Sequence, residues 1–236
     1  MLINHGERWE NGSEGAGIFD KGHCRAEGHG GGTRKYYQLK KKERMMIMSK
    51  IKVVTVHGGH NPQGKIACGA SDYIDESKED RIITKKVVAL LKKNGIKAYN
   101  CTVNNGTSQT DVLKKICAKC NSLQRDLDIS IHFNCFTHRS KKDSVTMGTE
   151  VVVRSKDGVR GDLGKRVCNQ ISKIGFTNRG VKIDTNLYFL NHTTKPAILI
   201  EVCFVSDPDD AALYLKHKDD IAKGIVQAIL NYNKAQ

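Results

Sequence analysis

The stretch AILIEVCF at residues 197–204 is a nearly unbroken apolar run that contains one carboxylate, Glu201. Strands with such runs are buried on both faces, as in parallel sheets that are covered by helices. Along the rest of the chain from residue 50, β-branched runs alternate with segments of helical periodicity. This alternation predicts an α/β domain built around a largely parallel sheet.

The predicted helix at residues 75–94 has the clearest limits, because Asp75 can cap its N-terminus and Gly95 can stop it. The predicted strands cover residues 51–56, 96–103, 127–132, 148–154, 187–190 and 197–204. The other predicted helices cover residues 110–125, 161–175, 207–215 and 217–233. The total length fits one domain, with or without an appendage.

Four groups with metal or acid–base chemistry lie at or near the ends of these elements. Ligands of such sheets bind beyond the carboxyl ends of the strands, where His60, His132 and Glu201 lie, and Glu76 opens the first long helix. Two imidazoles and one carboxylate suit a hydrolytic zinc ion with one position open for water. The sequence therefore predicts a Zn²⁺ site at His60, Glu76 and His132, with Glu201 handling the proton of the water.

Several of these assignments have a competing interpretation. Glu76 could simply be favoured by the helix dipole, and Glu79 or Asp80 could replace it as ligand. In the first loop, His57 ends the predicted strand whereas His60 follows a flexible Gly-Gly. We therefore prefer His60 as the ligand and expect His57 to pack behind it or support it.

Asn134 and Glu201 are the two polar residues of the predicted site that are not expected to bind the metal. Asn134 follows His132 by two residues and shares its face of the strand, where it can orient His132 or a substrate. A carboxylate inside an apolar strand, as at Glu201, is costly unless a partner offsets its burial. The partner is either a metal ion with a catalytic role for the glutamate, or a buried Lys or Arg.

The formal net charge of +14 favours an anionic partner, such as nucleic acid, a membrane surface or a bacterial wall polymer. Nucleic acid is the least favoured, because the basic residues are dispersed and form no helix-turn-helix or zinc-finger pattern. No apolar run is long enough to span a membrane.

Residues 1–48 differ from the rest, since they are Gly-rich, lack a regular period and hold the single Trp. We expect a disordered leader, or sequence ahead of a natural start near Met48. They contain no apolar signal core, which predicts synthesis in the cytoplasm without a signal peptide. The eight cysteines are scattered and predict reduced thiols. Cys117 and Cys120 fall on an apolar helical face and are expected to face the core rather than form half a zinc site.

A series of short motifs follows a fixed order over about residues 50–232. The motifs are Gly59-His60, Gly69-Ala70, Asp75-Glu76, Ser130-Ile131-His132-Phe133-Asn134, Asn178-Arg179-Gly180-Val181-Lys182, Leu187-Tyr188-Phe189-Leu190 and the run from Lys195 to Glu201. Together they resemble the zinc-dependent N-acetylmuramoyl-L-alanine amidases, in particular the catalytic domains of clostridial phage endolysins and autolysins. One departure is Asn61-Pro62, where the family often has Gly-Gly, and it affects the loop rather than the ligand.

The resemblance implies a single catalytic domain at residues 49–236, with a twisted, mainly parallel six-stranded sheet and helices on both faces. It implies that His60, Glu76 and His132 bind Zn²⁺ and that Glu201 is the catalytic glutamate. The implied substrate is the amide between N-acetylmuramic acid and L-alanine in peptidoglycan, reached after release from the cell. Two alternatives remain open: a zinc peptidase or carboxypeptidase acting on stem peptides, and a wall-binding module without catalysis.

Overall fold

The computed structural model describes residues 50–236, which form six strands and five helices. The strands are β1 (Val53–Gly58), β2 (Lys97–Asn100), β3 (Leu127–Asn134), β4 (Thr149–Val153), β5 (Asn178–Ile183) and β6 (Ala197–Phe204). The helices are α1 (Glu76–Lys93), α2 (Gln109–Asn121), α3 (Gly158–Ser172), α4 (Tyr188–His192) and α5 (Pro208–Lys234). The predicted leader at residues 1–48 lies outside the described residues.

The six strands form one mixed sheet in the order β2-β1-β3-β6-β4-β5. Neighbouring strands are parallel except β4 and β6, which run antiparallel. The apolar strand β6 lies in the interior of the sheet, between β3 and β4. The predicted α/β domain with a mainly parallel six-stranded sheet is therefore confirmed.

Helices cover both faces of the sheet. Helices α1, α3 and α5 bury the face to which Ile200 points, and α2 and α4 bury the opposite face, where Leu199 packs with Phe189. Adjacent residues of β6 point to opposite faces, so nearly every position of this strand must be apolar. Cys117 and Cys120 of α2 are buried in the second cluster, as the sequence predicted.

One predicted strand was wrong. Residues 187–190 were expected to form a strand, but they begin the short helix α4, which buries Phe189 and Leu190 against the second cluster. The sixth strand of the sheet is instead β5, which was not predicted. It runs along the edge of the sheet and exposes four of its six residues. An edge strand with so few buried side chains has no clear apolar period, so its sequence gave little signal.

The two predicted C-terminal helices form the 27-residue element α5, which is interrupted by a non-helical residue, His217 (φ −123°, ψ 25°). The predicted break between residues 215 and 217 therefore marks a kink. None of the helices within residues 50–236 combines the length and the hydrophobicity that crossing a bilayer requires.

A partly buried ion pair joins α1 to α5. Glu79 Oε2 accepts hydrogen bonds from the Tyr214 hydroxyl and the Lys218 Nζ, each at 2.6 Å. We expect Glu79→Ala to lower the free energy of unfolding by about 2–3 kcal/mol, because it leaves the buried Tyr214 hydroxyl and the Lys218 ammonium without an acceptor. Urea denaturation measures this change, and an unchanged midpoint would show that the contact contributes nothing to stability.

Candidate functional site

Three potential ligand atoms meet near the carboxyl ends of β1 and β3. The Nε2 atom of His60 lies 3.1 Å from Oε1 of Glu76 and 3.1 Å from Nδ1 of His132. The third side of this triangle, from His132 Nδ1 to Glu76 Oε1, is 3.0 Å. The structure thus brings together the three residues from which the sequence predicts a metal site.

The carboxylate of Glu76 is fixed by the backbone around it. Glu76 is the first residue of α1, directly after the capping side chain of Asp75. Its Oε2 accepts from the amide of Ala70 (2.9 Å) and its Oε1 from the amide of Phe133 (3.1 Å). The second bond ties the start of α1 to the strand that carries His132, so the helix and the strand position these two groups together.

Two glycines make room for the three side chains. A Cβ atom on Gly59 would lie 1.9 Å from the His132 ring, and one on Gly69 would lie 2.5 Å from Glu76 Oε2 and 2.8 Å from the His60 ring. Gly69 also has a φ of +77°, which disfavours any L side chain. The chain is therefore shaped around these three groups.

The three residues could hold a metal ion. Three acceptor atoms this close to one another repel unless a proton or a cation lies among them. Tetrahedral zinc with nitrogen and oxygen donors at about 2.0–2.2 Å places neighbouring donors roughly 3.3 Å apart. The observed separations of 3.0–3.1 Å are close to that value, and the donor set is one that zinc accepts.

Burial and mutual contact shift the pKa values of the three groups. Burial raises the pKa of the Glu76 carboxyl, but the two imidazoles more than offset this and hold it well below its usual range. Burial lowers the pKa of His132. Burial also lowers the pKa of His60, but the Glu76 carboxylate outweighs it and the net shift is upward. A cation among them would replace the proton that His60 otherwise shares with Glu76.

Glu201 lies on β6 beside His132, since the two are register partners in the sheet. Its Oε2 atom is buried and has no hydrogen-bond partner within residues 50–236. Burial, reinforced by the charges of Glu76 and Glu150, raises the pKa of Glu201 well above its ordinary value. Within the part of the chain that the structure describes, neither a Lys nor an Arg forms an ion pair with Glu201, and Arg179, two strands away on β5, pairs with Glu150 instead. An unpaired carboxyl with a raised pKa is suited to accept and release a proton.

Glu150 is a site residue that the sequence alone did not indicate. It is the antiparallel register partner of Glu201 and is 9% exposed. Its Oε1 accepts from Asn134 Nδ2 (3.0 Å), and its Oε2 accepts from Arg179 Nε (2.7 Å). The signal that could have found it is the one that drew attention to Glu201, a carboxylate within the apolar strand β4, which reads Thr-Glu-Val-Val-Val.

Three other sequence candidates lie outside the triangle of ligand atoms. His57 is buried in β1, with its ring edge-on to Phe189 at 4.6 Å between centroids, and burial lowers its pKa to about 3. It therefore packs as a neutral ring, one of the two roles expected for it. The alternative acidic ligands Glu79 and Asp80 are instead paired with basic side chains.

The triangle of ligand atoms opens into a cavity of about 320 Å³. Its polar lining includes the triangle together with Asn134, Glu150 and Glu201. Its apolar lining consists of Leu113, Val152, Ile183, Leu187, Leu199 and the aromatic residues Phe133, Tyr188 and Phe189. A site of this kind accepts a substrate with a polar reacting group and an apolar substituent.

Comparison with known proteins identifies a family and several relatives. Residues 51–231 match the N-acetylmuramoyl-L-alanine amidase family. An uncharacterised 38.4 kDa protein of Clostridium perfringens is 36% identical over 183 residues, which are 75% of this chain and 51% of that protein. A germination-specific N-acetylmuramoyl-L-alanine amidase of Bacillus subtilis is 28% identical over 171 residues, 71% of this chain and 68% of that enzyme. The chain spans about half the length of the Clostridium perfringens relatives that it matches.

A solved structure shows the same fold. The catalytic domain of the CD27L endolysin, which targets Clostridia difficile, superimposes with a TM-score of 0.67 at 25% identity. The match covers 76% of this chain and 97% of that domain. The similarity therefore extends over nearly the whole of a known catalytic domain.

Proposed function

The chain belongs to the N-acetylmuramoyl-L-alanine amidase family, and from this premise we propose that it hydrolyses the amide between N-acetylmuramic acid and L-alanine in peptidoglycan. The observation that carries the proposal is the meeting of His60, Glu76 and His132 beside the unpaired carboxyl of Glu201. The first three would bind Zn²⁺, and Glu201 would transfer protons.

A bound Zn²⁺ supplies Lewis acidity, which lowers the pKa of a water molecule to about 7 and polarises a carbonyl group. His60 and His132 contribute neutral nitrogen donors, and Glu76 contributes a negative oxygen donor held by two backbone amides. Because these donor groups are held in position before substrate binds, they need little reorganisation during the reaction.

Glu201 takes the proton of the attacking water while the oxygen of that water forms a bond to the scissile carbonyl carbon. The carbon–nitrogen bond then breaks, and Glu201 returns the proton to the leaving nitrogen of L-alanine. The products are the free lactyl carboxylate and a stem peptide with a new amino terminus. The same carboxyl serves as base and then as acid, which its lack of a hydrogen-bond partner within residues 50–236 favours.

Removal of the metal tests the proposed cofactor. We expect a chelator to abolish the release of amino groups from purified peptidoglycan and a stoichiometric addition of Zn²⁺ to restore it. Mg²⁺ should not restore activity, because it prefers octahedral oxygen ligands to a site with two imidazoles. Full activity in a sample shown by elemental analysis to be metal-free would contradict the proposal.

Product analysis tests the bond that is cleaved. New amino termini that map to L-alanine support the amidase, whereas release of D-alanine would indicate a carboxypeptidase with the same ligands. Binding to the wall without either product would indicate a non-catalytic module. Peptidoglycan digested by a muramidase is a suitable substrate, because the soluble fragments can be identified by mass.

A further inference from the structure

The side-chain amide of Asn134 is held from both sides. Its Oδ1 accepts from the backbone amide of Cys135 (2.8 Å), and its Nδ2 donates to Oε1 of Glu150 (3.0 Å). An amide N–H requires an acceptor and a carboxylate offers only acceptors, so these partners allow a single orientation of the amide group. Asn134 therefore presents its nitrogen, not its oxygen, on the side of Glu150.

The amide nitrogen of Asn134 has a second hydrogen to donate. Within residues 50–236 this nitrogen has no other acceptor, and Asn134 is partly exposed on the wall of the cavity that also holds His132 and Glu201. Asn134 and His132 lie two residues apart on β3, so both side chains leave the same face of the strand. An amide group that is held in one orientation, and whose second N–H has no protein acceptor in the described structure, is suited to bind a substrate in this cavity.

The acceptor that orients Asn134 is itself held in place. Glu150 lies on β4 and is buried, and its other oxygen pairs with Arg179 on β5 at 2.7 Å. The guanidinium of Arg179 also lies over the ring of Phe204, 4.9 Å from its centroid. Arg179, Glu150 and Asn134 thus form a chain of contacts across three strands that ends in the cavity.

We propose that Asn134 donates a hydrogen bond from Nδ2 to the carbonyl oxygen of the scissile amide, and that Glu150 and Arg179 are positioning residues for it. The inference rests on the proposed hydrolysis, in which negative charge develops on that oxygen as water adds to the carbonyl carbon. A donor that is oriented before the reaction stabilises this charge more than one that must turn to reach it.

The role of Asn134 is tested with Asn134→Ala and Asn134→Asp, assayed on a soluble muropeptide. Loss of one such donor typically lowers kcat by about 10²–10³. We expect a fall in this range with a nearly unchanged KM, because the hydrogen bond strengthens as charge develops. Zinc content should stay at the wild-type level, which separates this role from a structural effect on His132. Asn231→Ala, on α5, is the matched control and should keep wild-type kinetics.

The positioning role is tested at Arg179. Arg179→Met should lower kcat by about 10–100-fold, as removal of a supporting partner does, and Arg179→Lys should restore part of the loss because it keeps the charge beside Glu150. Adding Arg179→Met to Asn134→Ala should cost little more, since the group that Arg179 orients is already absent. Full additivity of the two losses would show that the chain of contacts does not act through Asn134.

The outcomes separate this inference from the proposed function. If the wild-type protein with Zn²⁺ releases no L-alanine amino termini, the proposed function is wrong. If the wild type is active and a folded, zinc-loaded Asn134→Ala keeps the wild-type kcat, only the role of Asn134 is overturned. Asn134→Asp keeps the shape and the acceptor for the Cys135 amide, but its second oxygen faces the Glu150 carboxylate. Combined with Glu150→Gln, whose amide N–H supplies the missing donor, it serves if the alanine variant does not fold.

Discussion

Replacing Glu201 by glutamine is expected to lower the rate of peptidoglycan amide hydrolysis by about 10²–10⁴, the usual effect of losing a general acid–base group. Glutamine has nearly the same shape but cannot take a proton from water. The zinc content should not change, because Glu201 is not among the three atoms of the candidate metal site. The melting temperature should be equal or higher, because a neutral amide is less costly to bury than a carboxylate that lacks a partner.

The matched control for this variant is Asp162→Asn. Asp162 lies on α3 with 42% of its side chain exposed and pairs with Arg166 one turn away. It does not line the cavity, so the same loss of charge occurs outside the site. It should keep wild-type activity. A Glu201→Gln enzyme with wild-type kcat would remove this residue from the mechanism.

Loss of either imidazole is expected to remove both the metal and the activity. His60→Ala and His132→Ala each delete one of three donors, and the two that remain are fewer than the three protein ligands that a catalytic zinc site uses. Elemental analysis after dialysis should find less than stoichiometric zinc in both variants, with no measurable amidase product. This combined loss of zinc and activity differs from the result expected for Glu201→Gln, in which the zinc content is unchanged and only the activity falls.

His217→Ala is the control for the imidazole variants. His217 lies at the kink of α5, paired with Asp220, and does not line the cavity. Its replacement should leave zinc content and activity unchanged. Full zinc stoichiometry in His60→Ala or His132→Ala would show that other residues hold the ion.

The strands buried on both faces could be predicted from the sequence, whereas the edge strand β5 could not. The run at residues 197–204 is apolar because helices cover both faces of β6, so its composition alone identified it. In β5 most side chains face solvent and carry no such pattern. The apolar residues at 187–190 looked like a strand because a short buried helix and a short buried strand have the same composition.

The meeting of His60, Glu76 and His132 could also be predicted, because it follows from residue types and from the edge of the sheet at which parallel strands end. Glu150 could not be placed in the same way. Its position opposite Glu201 depends on the single antiparallel pair in the sheet, β4 with β6, and no local signal at residues 149–153 indicates that reversal. The role of Asn134 likewise depends on Glu150, 16 residues away in the chain.

The most direct test of the central claim is a crystal structure of the zinc-loaded protein with anomalous diffraction data at the zinc absorption edge. We expect one peak among His60 Nε2, Glu76 Oε1 and His132 Nδ1, about 2.0–2.2 Å from each, with a fourth position facing Glu201. An ion bound elsewhere, or no ion in a protein that hydrolyses peptidoglycan, would contradict the account.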